Sequence, residues 1–440
     1  MFYRFTLFIA ILISILNPLA SFSLKEEKRE SDPRSSQNFL ANYDFSKEIT
    51  PQQLEVAKNL DFSLATFGRG DKIYLWFGHT ALAITDKKSN RSVLYDYGIF
   101  SFDDNFYQTF AMGDLNYQVW ATSTEMRYEL TKEEKRDITV LPLNIPDETK
   151  LTILELLNFN VSEGNNTYLY HHYEENCSTR IRDIIDKAVD GQLKQWATTI
   201  DFDETLRQLV IRHSYNSPFI DWLLNFLQSG TIDKPITLWD AMFLPSILEE
   251  ALNNFTYINN KGESISLAPK VEVEYRAPEN IRSKTLEKYK STTPRTFIVA
   301  ILVAFLISFL SSSSFKVIKK IGFTLNTLWS FVAFILSLLL LFMVLFSYHD
   351  VTYYNENIIF VNPFLGYLAL MSLLALFGNK KAERGFKKGN SFLLVLTISF
   401  IVVKTLLPNY FYQQNWQIIL TMVPLYLFNS SFIEKLKEKF

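Results

Sequence analysis

Polar and apolar positions divide the chain into two unlike parts. From Leu24 to about Thr293, apolar clusters are short and set among charged residues. Beyond that point, apolar runs cover 297–315, 325–346, 358–377, 391–407 and 416–430. A helix of about 20 apolar residues crosses a bilayer, so the pattern predicts five spans within 296–430, the last the shortest. Lys404 falls near the end of the fourth run, where its long side chain is placed to snorkel to the interface. At the other end of the chain, Arg4 precedes an apolar core from Phe5 to Leu16, followed by Pro18, Ala20, Ser21 and Ser23. This is the pattern of a secretory signal over residues 1–23, a retained anchor being the alternative.

Charge fixes an orientation for the predicted spans. Lys316, Lys319 and Lys320 lie in one connection, and Lys380, Lys381, Arg384, Lys387 and Lys388 in another. The tail, 431–440, adds Lys435, Lys437 and Lys439. With five spans all three basic segments fall on one side, which the positive-inside rule makes cytoplasmic. The loops SYHDVTYYNEN and LPNYFYQQN carry no Lys or Arg and face outward, as does everything between the signal and the first span.

Within the outward part, 24–60 reads as a tether leading into a short helix, 61–270 as a Cys/His domain with helical additions, and 271–295 as a charged linker. Strand-like patterns cover Ile73–Phe77, Thr80–Thr85, VLYDYGIF, LNYQVWATS and ITVLPLNI. Helical spacing takes over from Pro146 to Phe159. After Cys177, the residues Ile181, Ile184, Ile185 and Ala188 recur on one face of a helix. The glycines of GRGD lack a third glycine and a following helix, so they mark a turn and not a nucleotide loop.

The formal net charge of -2 predicts no bulk attraction to nucleic acid. The single cysteine, Cys177, excludes an intramolecular disulfide. A lone thiol is commonly a packed, inert one. Here it follows Asn176 and opens a predicted helix, where the dipole and unpaired N–H groups favour thiolate and can hold an oxyanion. A nucleophilic cysteine needs a base, and the histidines are His79, His171, His172, His213 and His349. His171 and His172 are adjacent in an extended stretch, so at most one faces the thiol.

The sequence GHTAL, followed by VLYDYG and then TYLYHHYEENCSTRIRD, resembles the Lnb-type lipoprotein N-acyltransferases of bacteria. The resemblance extends to the signal, the C-terminal spans and the outward loop HDVTYYNENIIFVNPF. It implies an α+β, circularly permuted papain-like domain in which histidine precedes cysteine, followed by a bundle of about five transmembrane helices. It implies an enzyme of the bacterial inner membrane with its Cys/His domain in the periplasm. Cys177 would take an acyl chain from a membrane phospholipid and pass it to the α-amino group of a diacylglyceryl-cysteine at a lipoprotein N-terminus. His79 would be the base, with no cofactor and no metal. Asp96 either orients His79 or pairs with Arg91 or caps a turn. Asn176 either shapes the helix start or meets substrate. Arg180 and Arg182 either receive a phosphate head group or lie on a solvated face. His349, Asn355 and Asn357 either dock the thiol domain or bind head groups. Two other readings stand beside this one: a periplasmic cysteine hydrolase, and a membrane-anchored binding protein with an inert thiol.

Overall fold

Alternating patterns at the start of the polar part fold as an antiparallel sheet. The computed structural model describes residues 39–102, 104–278 and 288–433. The predicted signal segment 1–23, most of the tail 431–440 and parts of the predicted tether and linker lie outside the described residues. The sheet holds β1 (Leu60–Phe67), β2 (His79–Asp86), β3 (Arg91–Ile99), β4 (Asn116–Ser123), β5 (Ile138–Leu143), β6 (Thr167–Leu169) and β7 (Glu272–Tyr275), in the order β7-β5-β1-β2-β3-β4-β6. Neighbouring strands are antiparallel throughout.

Each face of this sheet is covered differently. Phe62, Leu64, Leu82, Tyr95 and Leu141 pack with the buried sides of α2 (Asp147–Asn160) and α3 (Cys177–Ala188) in the main core. The spacing of Ile181, Ile184, Ile185 and Ala188 places all four on the buried side of α3. On the opposite face Ala65, Phe67, Ala81, Ala83, Leu94 and Ile138 form a smaller cluster that meets Tyr128 of α1 (Thr124–Glu133).

Two expectations change here. Ile73–Phe77 is not a strand: Ile73–Leu75 forms a single 3₁₀ turn, closed by the Leu75 amide on the Lys72 carbonyl. Its β-branched and aromatic composition is outweighed by the turns at Gly70 and Gly78, the latter at φ +78°. The strand β1, not singled out by alternation, lies near the centre of the sheet, buried on both faces, and so lacks the two-residue period.

The described residues divide into two compact units, with 39–206 and 235–278 in one and 207–234 and 288–433 in the other. In the second unit α5 (Thr293–Ser311), α6 (Lys316–Leu345), α7 (Phe364–Leu376), α8 (Lys380–Leu406) and α9 (Trp416–Phe428) pack in a closed ring, each against the next and α9 against α5. Among the described residues, four helical segments are long and apolar enough to cross a membrane: Thr293–Ser311, Lys316–Leu345, Asn357–Leu376 and Lys380–Leu406. The predicted fifth, Trp416–Phe428, has 13 residues and an internal Pro424. At 1.5 Å per residue it reaches only about 20 Å, short of the roughly 30 Å hydrocarbon core.

Lys404 does not snorkel. It is buried on α8, donates to Glu356 Oε2 and also to the carbonyls of Phe411 and Gln413 at 3.0 and 2.8 Å. Satisfying all three donors inside the unit offsets the desolvation that would otherwise drive the ammonium to water.

Candidate active site

β2 and β3 run side by side, so the first residue of β2 lies beside the end of β3. The register puts His79 opposite Phe67 and Leu94 opposite Ala83, so His79 and Asp96 face the same side of the sheet. His79 Nε2 hydrogen-bonds Asp96 Oδ1. Phe67 stacks on the imidazole at a centroid separation of 6.0 Å and fixes its plane. On its other edge the histidine hydrogen-bonds the Cys177 sulfur. With Nε2 held by the carboxylate, Nδ1 is the nitrogen that serves the sulfur.

Cys177 is the first residue of α3, and Asn176 makes that start. Asn176 Oδ1 accepts from the amides of Ser178 and Thr179 at 2.8 and 3.0 Å. The Asn176 amide donates to Thr179 Oγ1 at 2.8 Å, completing a reciprocal cap. The Asn176 side-chain amide donates to the carbonyls of His172 and Phe243, which ties the cap to two loops. The cap takes the amides of Ser178 and Thr179 and not that of Cys177 itself.

Charge in this site is paired. Burial alone would lower the His79 pKa, but the Asp96 carboxylate and the Cys177 thiolate override it and raise the value to about 9. Burial would raise the Cys177 pKa; the His79 charge and hydrogen bond, with the Thr80 amide on sulfur, hold it below the ordinary thiol value. Burial works the same way on Asp96, and His79 and Arg127 keep it below the usual carboxylate range. His79 and Cys177 are thus coupled so that each favours the charged form of the other, with the Asp96 carboxylate behind the imidazole.

Arg127 is the member that the sequence did not reveal. It lies on α1, its Nε donates to Asp96 Oδ2 at 2.8 Å, and its guanidinium rests 4.5 Å from the Phe67 ring centroid. A cation on a helix of mean polar character carries no signal of this role.

Gly98 opens the space at the site. Its φ is +93°, and the β3–β4 register shifts between Tyr97 and Ile99. A methyl built on Gly98 would lie 3.6 Å from His79 Cε1, 3.7 Å from Cys177 Cβ and 3.8 Å from the Tyr168 hydroxyl. The bulge thus leaves room on which the three groups converge.

The remaining candidates make other contacts. His172 is packed against Phe77, Tyr173 and Phe243, and burial lowers its pKa to about 4, with the neighbouring His171 acting in the same direction. His171 pairs through its backbone with Glu175. His213 is buried and bonds the Leu209 carbonyl. Arg180 and Arg182 do not form a solvated face. Arg180 is 4% exposed, pairs with Glu175 at 2.8 Å and lies between the rings of Phe39 and Tyr168. Arg182 stacks on Trp239 at 3.9 Å. Arg91 is not the partner of Asp96; it begins β3 opposite Asp86.

His349, Asn355 and Asn357 belong to the membrane unit. The His349 carbonyl accepts from the hydroxyl of Thr352 at 2.7 Å. Asn355 and Asn357 are buried and donate to the carbonyls of Asn225, Phe226 and Leu227, capping the C-terminal end of α4 (Pro218–Leu227).

Residues 51–212 match the family model described as Lnb N-terminal periplasmic domain. No curated protein and no solved structure matches the chain.

Proposed function

Taking residues 51–212 as an Lnb N-terminal periplasmic domain within a multi-pass membrane protein, we propose that this chain is a lipoprotein N-acyltransferase. The observation that carries the reading is the chain of bonds from Arg127 through Asp96 and His79 to the Cys177 thiol at the head of α3. That arrangement is suited to acyl transfer, where a thiolate attacks a carbonyl and a histidine moves the proton.

In the first half-reaction the Cys177 thiolate attacks an ester carbonyl of a membrane phospholipid. The tetrahedral oxyanion collapses, the C–O bond breaks, and His79 gives its proton to the leaving alkoxide. A lysophospholipid departs and Cys177 holds the acyl chain as a thioester. In the second, the α-amino group of a diacylglyceryl-cysteine at a lipoprotein N-terminus attacks the thioester. His79 takes the amine proton, the C–S bond breaks, and the thiolate is restored with the acyl chain in an amide. Asp96 stabilises the imidazolium in both halves, and Arg127 holds Asp96.

Four membrane-competent helices in the same chain favour a lipid substrate over a cell-wall one, since a peptidoglycan hydrolase needs a single anchor. The setting we assign is the bacterial inner membrane with this domain in the periplasm. The test is expression in a strain lacking its own N-acyltransferase, with lipoprotein N-termini read by mass spectrometry. Conversion of diacyl to triacyl forms supports the reading when C177S and H79A abolish it. Release of peptidoglycan fragments without conversion supports the hydrolase instead.

A further inference from the structure

Tyr168 places a buried hydroxyl beside the site that the dyad does not use. It lies on β6, is 3% exposed, and its hydroxyl has no hydrogen-bond partner among the described residues. An unmade bond inside a core is costly, so an orphaned phenol beside a reactive thiol needs a reason. Its position is held tightly. Tyr97 meets it edge to face at 6.1 Å, and the Arg180 guanidinium lies 4.4 Å from its ring centroid. Arg180 is itself fixed by Glu175 at 2.8 Å. These contacts grip the ring and leave the hydroxyl directed at the space above Gly98, 3.8 Å from where a methyl there would stand. The same point is 3.7 Å from Cys177 Cβ and 3.6 Å from His79 Cε1.

We infer that the Tyr168 hydroxyl is an oxyanion donor, accompanying the Cys177 amide in stabilising the tetrahedral intermediate at Cys177. A preorganised donor aimed at developing charge is worth more than one made in the ground state, and a vacant partner position in the resting site is what such a donor requires. Burial, with the Cys177 thiolate adding to it, keeps the phenol protonated, so it can donate wherever the thiolate exists. The Arg180 charge over the ring draws electron density from the hydroxyl and strengthens it as a donor. This assignment rests on the acyl-transfer reading only in that a carbonyl is attacked.

The test is Tyr168→Phe in the full-length protein, with p-nitrophenyl butyrate as the acyl donor. Formation of the S-acyl enzyme from this ester passes through a tetrahedral oxyanion whatever the natural lipid is. The expected result is a fall of about 10²-fold or more in the acylation rate constant, with KM little changed. Alkylation of Cys177 by iodoacetamide, which forms no oxyanion, should keep its wild-type rate. The melting temperature should hold or rise, because the removed hydroxyl had no partner. An acylation rate within threefold of wild type overturns the assignment. So does a parallel loss of alkylation, which would make Tyr168 a support of the thiolate, or a lowered melting temperature, which would give its hydroxyl a structural partner. A wild type that is acylated by the ester but converts no lipoprotein leaves this inference standing and removes the N-acyltransferase reading.

Discussion

Arg127 Nε stands 2.8 Å from Asp96 Oδ2, on the far side of the carboxylate from His79. Asp96 is 1% exposed, so this guanidinium and the imidazolium together compensate its charge. Arg127→Met removes half of that compensation. The Asp96 pKa should rise, the carboxylate should lose the contact that holds it against His79, and turnover should fall about 10- to 100-fold by analogy with loss of an orienting carboxylate partner. The pH–rate profile distinguishes this from a loss of fold, because its acid limb, where Asp96 takes up a proton, should move to higher pH. Arg127→Lys, which keeps the charge and loses the planar fork, should recover part of the activity.

The pH dependence has a definite sign. The His79 pKa is raised from 6.5 to about 9, so its contribution to folding stability is fully present below pH 6.5 and is lost as pH rises through about 9. The Asp96 pKa is lowered from 3.8, so its contribution is present above pH 3.8 and lost as pH falls through the depressed value. Alkylation of Cys177 should already be fast at pH 7, faster than that of free cysteine. In H79A the rate at pH 7 should fall at least tenfold and regain speed only towards alkaline pH. Equal rates for the two proteins at pH 7 would remove the ion pair from the account.

Much of this arrangement was written in the sequence and some was not. GHTAL and NCST marked His79 and Cys177 through the family resemblance they carry; the helix start by itself left a packed, inert thiol as the commoner reading. Asp96 was legible only as one of several roles, since alternation along β3 gives its face but not its neighbour. Arg127 and Tyr168 were not legible as site residues. One lies on a helix 31 positions from Asp96 and the other on a three-residue strand, and only tertiary packing brings them in. Lys404 misled for a related reason: hydropathy reads a lysine near a helix end as exposed, while the partner that buries it, Glu356, lies 48 positions away.

Gly98→Ala tests the space at the bulge. The added methyl makes ordinary contacts of 3.6 to 3.8 Å, but the φ of +93° disfavours alanine by about 1 kcal/mol. The protein should fold with a slightly lowered melting temperature. Acyl transfer should fall by more than tenfold, because the methyl occupies the position where the carbonyl oxygen must sit. A variant as active as wild type would show that the substrate approaches from elsewhere.

Asn176 acts through the helix start it shapes. Asn176→Ala removes the cap on Ser178 and Thr179 and the donors to His172 and Phe243. The cap alone is worth about 1 kcal/mol, typically, and the buried carbonyls left unpaired add to that. Thermal unfolding should show the loss directly. Asn176→Asp keeps the acceptor and loses the donors, so its melting temperature should fall between those of wild type and N176A.

In the membrane unit, Lys404→Met leaves the Glu356 carboxylate buried without its cation. Losing one partner of a buried pair costs roughly 3–5 kcal/mol, so the variant in detergent should unfold at distinctly lower temperature. Adding Glu356→Gln should recover much of that loss, and the coupling between the two changes is the measurable quantity.

The central claim is that Cys177 carries the acyl chain. Incubation of the purified full-length protein with phospholipid vesicles, followed by intact and peptide mass analysis, tests it most directly. The account predicts a mass gain of one acyl group on the peptide containing Cys177, released by hydroxylamine, discharged by a diacylglyceryl-cysteine peptide, and missing in H79A. An unmodified Cys177 in a protein that nonetheless triacylates lipoproteins, or an acyl group borne on another residue, would contradict it.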